Sequence, residues 1–64
     1  MEDYKERVIA EKKELDDRLE KLTAFIISSR FNDLTFAEQR RLSKQKSIMF
    51  LYLCILKERI AEFH

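Results

Sequence analysis

No glycine and no proline occurs anywhere in these 64 residues, and that double absence restricts the fold more than any motif. The two normally make up about 7% and 5% of a globular chain. A sheet reverses its strands at residues that accept positive φ or carry a fixed φ, and this sequence has few to offer. Glu, Lys, Leu, Arg, Ala and Gln recur instead, and these are strong helix formers. The fold class read from the sequence is all-α.

At this length there is room for one small domain, residues 1–64. So short a chain is marginal on its own core and commonly needs a disulfide, a metal or a second copy. Cys54 is the only cysteine and His64 the only histidine, which excludes an intrachain disulfide and any zinc-ligand spacing. Oligomerisation remains. The net charge of +1 gives no global attraction to nucleic acid or an anionic membrane, so neither DNA nor a membrane is expected as a partner. The first residues are charged, unlike a signal peptide, and the longest apolar run is half the ~20 residues that span a bilayer. A cytoplasmic protein is expected.

Apolar residues recur at helical spacing in the first half: Tyr4, Val8, Leu15, Leu19, Leu22, Phe25 and Ile26. Val8, Leu15 and Leu22 stand a heptad apart, which makes a narrow buried stripe on an otherwise charged helix. Asp3–Arg7, Glu14–Arg18 and Asp17–Lys21 are i,i+4 pairs with the acid leading, the favourable order. The spacing predicts a first helix over about residues 3–28 and a corner over 29–35. In the corner Asn32 and Asp33 favour a turn, and Asn accepts left-handed geometry where glycine is missing. Thr35 followed by Glu38 matches a capping box, so a second helix is expected over about residues 36–62. Phe31, Leu34 and Phe36 are expected to fold inward and plug the closed end. The two helices form an antiparallel hairpin.

In the second helix, Leu42, Met49, Leu56 and Phe63 stand a heptad apart, flanked by Leu53 and Ile60. This stripe answers the one on the first helix. Residues 48–56, however, read Ile-Met-Phe-Leu-Tyr-Leu-Cys-Ile-Leu without a break, and a helix through them is apolar on every side. Ile48, Leu51, Ile55 and, at the edge, Tyr52 form a second stripe that the first helix cannot also cover. A second copy packing there gives a helical oligomer; a helix of another protein satisfies the same stripe.

Nothing in the sequence assembles a catalytic constellation. No serine or cysteine has a histidine partner, since His64 ends the chain, and no glycine-rich loop exists to cradle a cofactor phosphate. The expectation is a non-enzyme without cofactor or metal. Between residues 28 and 47, Arg30, Arg40, Arg41, Lys44 and Lys46 outweigh Asp33 and Glu38. That patch reads either as a solvated surface paired to the acidic first helix or as an anion site completed where copies meet. Tyr4 is either core at the open end or a stacking platform for a base, with Arg7 one turn on. Gln45, Tyr52 and Arg59, a heptad apart, form a polar-edged row suited to fixing register.

The residues Glu6-Arg7-Val8, Glu11, Glu14-Leu15, Arg18-Leu19, Lys21-Leu22 and Phe25 lead into Phe31-x-x-Leu34 and Glu38. Then follows Leu42-x-x-Gln45-x-x-x-Met49-x-x-Tyr52-x-x-x-Leu56-x-x-Arg59-Ile60. Over about residues 4–60 this pattern resembles short phage and prophage helical-hairpin proteins. It is similar to the anti-CBASS and anti-Thoeris sponges that capture cyclic nucleotide immune signals. The resemblance implies a homo-oligomer, in that family often a hexamer built from dimers. It also implies cyclic dinucleotides or trinucleotides held, uncleaved, between protomers in the bacterial host cytoplasm. An aromatic ligand contact near the N-terminus is matched by Tyr4. Arg7, Lys12, Arg41, Lys44 and Arg59 are the candidates for its basic contacts. Two other readings stand beside it: an adaptor hairpin docking on a different protein, and a small nucleic-acid accessory protein using the basic patch.

Overall fold

A computed structural model describes residues 3–63; His64 lies outside them. Helix α1 runs Tyr4–Ile26 and helix α2 runs Phe36–Ala61, joined by a short 3-10 helix over Ser29–Asp33. No strand forms among the described residues. The hairpin is slender, 46 × 17 × 15 Å.

Local chemistry sets the ends of α1. Asp3 is extended and its carboxylate accepts from the Lys5 amide at 3.5 Å, so it serves as N-cap where an ion pair with Arg7 was expected. Along the outer face Glu14 meets Arg18 at 4.0 Å and Asp17 meets Lys21 at 3.1 Å. Such exposed pairs contribute a few tenths of a kcal/mol each. The helix stops at Ile26, two residues short of the expected end, because Ser28 turns extended. The Ser28 amide and hydroxyl both donate to the Phe25 carbonyl, at 3.0 Å and 2.6 Å, which satisfies an acceptor at the helix end.

The corner reverses the chain without left-handed geometry. None of the described residues has positive φ, so the expected role of Asn32 is not used. Extended residues on either side of the 3-10 turn, Ser28 before it and Leu34 and Thr35 after it, divide the reversal between them. Gln39 then ties the corner down: its side-chain amide donates to the carbonyls of Phe31 at 3.0 Å and Leu34 at 3.2 Å. Thr35 caps α2 as its sequence suggests, accepting from the Glu38 amide at 3.2 Å. The Glu38 carboxylate pairs forward with Arg41 at 3.0 Å.

The core is one seam of leucine and valine: Val8, Leu15 and Leu19 from α1 against Leu53 and Leu56 from α2, with Met49, Ile60 and Phe63 packed beside them. Leu56 is fully buried. At the closed end Phe31 and Leu34 are half-buried, and Phe31 meets Phe25 edge-on at 6.4 Å. Phe36 does not fold inward; 74% of it is exposed. Six residues before Leu42, it sits about 120° round the helix from the seam, so its side chain leaves the corner facing away.

Replacing Leu56 with Ala should cost about 2–5 kcal/mol. Replacing exposed Ile27 with Ala should stay within about 0.5 kcal/mol. Urea unfolding of both variants at one protein concentration checks this contrast, since association makes apparent stability concentration-dependent.

Candidate functional site

Antiparallel packing fixes which residues share a level. At the open end Tyr4 meets Phe63 edge-on, ring centroids 5.7 Å apart, and the Lys5 ammonium lies 5.8 Å from the Phe63 ring centre. Midway, the Tyr52 hydroxyl donates to the Glu11 carboxylate across the two helices. Tyr4, with Phe63, therefore acts as packing at the open end, yet keeps about half its surface in solvent.

The Tyr52–Glu11 bond has an electrostatic signature. Donation to Glu11, partial loss of water and the negative charge of Glu11 all push the Tyr52 phenol above its ordinary 10.0, and the Arg59 guanidinium pulls the other way. A phenol raised in the folded state stabilises the fold fully below its unfolded value and stops doing so as pH rises through the folded one. Of the row Gln45, Tyr52 and Arg59, it is Tyr52 that ties the helices together, with Glu11 as its partner, while Gln45 donates to the Met49 sulfur at 3.7 Å within α2. Glu11 stood in the sequence pattern without an assigned partner, and only the helix-to-helix level supplies one.

The expected ligand-binding residues fall into two separate groups. Tyr4, Arg7 and Arg59 belong to the open half of the hairpin, while Arg41 and Lys44 belong to the closed half. Lys44 and Arg59 lie on one helix about 22 Å apart at 1.5 Å per residue. Lys12 is held by Asp16 at 3.1 Å and Arg41 by Glu38, whereas Arg7 and Arg59 are exposed on the same side of the hairpin as the Tyr52–Glu11 bond. No single copy brings the two groups together.

Two surface hollows mark the closed half. One, of about 330 Å³, is lined by Phe31, Phe36, Gln39, Arg40, Ser43 and Lys44. The other, of about 200 Å³, lies among Ala37, Arg40, Arg41 and Lys44. Arg40 bridges them, its guanidinium 5.9 Å from the Phe36 ring centre, a cation-π distance. Arg40 belonged to the basic patch but not to the ligand candidates, although the Phe36–Arg40 i,i+4 spacing carries that signal. Between the two groups lies the second apolar stripe: Ile48 is 66% exposed, Leu51 62%, Ile55 51% and Tyr52 40%. Phe50 and Ile9 add exposed apolar surface beyond it.

Among the described residues no group of three or more metal-binding side chains gathers, and no helix is long and apolar enough to cross a membrane. A family model described as Sequestin matches residues 2–62. No curated protein and no solved structure matches.

In a Tyr4→Phe background, ultraviolet titration should place the Tyr52 midpoint above 10.0, and Glu11→Gln should lower it. A midpoint that ignores Glu11→Gln would remove Glu11 as the cause.

Proposed function

The chain belongs to the Sequestin family, and from that premise we propose that it is a sequestering protein. Its ligands are cyclic oligonucleotide immune signals, cyclic dinucleotides or trinucleotides, held at pockets between copies. The observation that carries this reading is the family match over residues 2–62, which takes in the seam, the corner and both basic groups. The name denotes sequestration, and the sponge-like sequence pattern supplies the class of ligand.

The geometry supports the same reading. An apolar stripe is exposed along Ile48, Leu51 and Ile55, and contiguous exposed apolar surface is the kind that marks interaction sites. A second copy covering it makes a homo-oligomer, with the hexamer of the sponge family as the larger form. The flanking cations suit phosphodiesters, because Arg offers paired donors matched to phosphate oxygens. Tyr4 offers a half-open ring on which a base can stack. Capture is stoichiometric in this proposal: cations and a ring bind a charged, flat ligand and leave its bonds intact. The setting is the host cytoplasm, where a cyclic signal would otherwise reach its effector.

A thermal-shift screen against cyclic dinucleotides and trinucleotides tests the proposal. A true ligand at 100 times its dissociation constant should stabilise the folded protein by about 2.7 kcal/mol and should be recovered uncleaved after heating. Tyr4→Ala should abolish that shift with the assembly mass unchanged, and Tyr4→Phe, which keeps the ring, should retain most of it. Absence of any shift, with a different protein co-purifying on the apolar stripe, would favour the adaptor reading instead.

A further inference from the structure

The exposed face of α2 carries its own register. Arg41, Ile48, Ile55 and Glu62 stand a heptad apart, and Lys44, Leu51 and Glu58 stand a heptad apart beside them. The two rows form one a/d-like seam, separate from the seam that packs on α1. Its middle is apolar and exposed at Ile48, Leu51 and Ile55. The end nearer the corner is basic and the end nearer the C-terminus is acidic. Every one of these polar side chains is exposed on the single hairpin.

We propose that this face pairs with the same face of a second copy, antiparallel, in the one register that keeps both patterns. In that register Ile48 packs on Leu51 of the second copy, Ile55 lies along the aliphatic stem of the second copy's Lys44, and Arg41 meets the second copy's Glu58. The two-fold axis repeats each contact. Antiparallel seams set a-row residues across from d-row residues, and these are such pairs. A parallel arrangement fails because Arg41 and Lys44 would face their own copies, and Glu58 and Glu62 theirs. Sliding one heptad one way sets Glu58 against Ile48. Sliding the other way sets Arg41 against Leu51. Lysine stems tolerate apolar neighbours while the ammonium reaches water, so the Ile55–Lys44 contact is compatible with the seam. Arg41 is also held by Glu38 within its own copy at 3.0 Å, and a guanidinium has five N–H donors to share between two carboxylates.

The pairing has a consequence for ligand capture, which rests on the sequestering reading above. Antiparallel pairing carries Arg41 of each copy to the level of Arg59 of the other, beside Arg7 on the neighbouring helix. Each dimer then holds two sites in which guanidinium groups of both copies converge on one phosphodiester-bearing ligand. The separation of the two basic groups along a single hairpin disappears in the pair.

Charge exchange tests the register. Arg41→Glu alone and Glu58→Arg alone should each weaken dimerisation about tenfold, through two rim pairs per dimer. Sedimentation over a concentration series reads this, with helical circular dichroism confirming that each variant folds. The double variant Arg41→Glu/Glu58→Arg should restore dimerisation, because the opposed charges are regained only in this antiparallel register. Failure of the double variant to restore it, or single reversals that leave association unchanged, would overturn the register. The cyclic-nucleotide thermal shift of the unmodified protein is read separately. Loss of the register with that shift intact leaves sequestration standing, and restored pairing without any shift leaves the register standing alone.

Discussion

One constraint governs this molecule: a helix in a two-helix hairpin has only one neighbour. The Val8, Leu15 and Leu19 stripe meets Leu53 and Leu56 and closes around them. A buried leucine of this kind removes apolar surface from water at about 25 cal/mol per Å². That seam exhausts what α1 can cover. The apolar stripe on the far side of α2 remains outside it, and so do the basic residues at its corner end and the acidic ones at its C-terminal end. The fold is therefore complete as topology and incomplete as a buried surface.

That incompleteness gives the proposed function its physical form. Sequestration requires affinity without chemistry, and affinity for a small charged ligand depends on converging charges that are already positioned. A slender hairpin cannot surround a ligand by itself. Two copies can, because a two-fold axis turns opposite ends into neighbours. In the proposed pairing the apolar middle of α2 supplies association and its polar ends supply the site. Structure and ligand capture then draw on the same residues.

Much of the hairpin was legible in the sequence because heptad spacing reports directly on a helix seam. Leu56 and Val8 could be placed in the core before any coordinates, and Thr35 marked the start of α2. The corner was less legible. Its reversal uses a 3-10 turn and a glutamine from the next helix, and Gln39 acts on carbonyls five and eight residues earlier, a relation no local pattern announces. Phe36 was misplaced because an aromatic beside a corner suggests burial, whereas its angle on the helix turns it outward. The candidate site was the least legible. Tyr4, Arg7 and Arg59 on one hand and Arg41 and Lys44 on the other are separated within a copy, and only the proposed pairing of two copies relates them. Glu11 had no assigned role for a related reason, since its partner Tyr52 lies far off in sequence.

The glycine-free corner has a consequence for how such a chain can change over time. With none of the described residues at positive φ, no turn here obliges a particular residue type by backbone sterics. Exposed positions of the 3-10 turn, such as Arg30 and Asn32, are accordingly open to substitution by almost any side chain. The unfolded chain is also stiffer for lacking glycine, so less disorder is surrendered on folding. The surface near the closed end can thus be revised while the reversal of the chain stays intact.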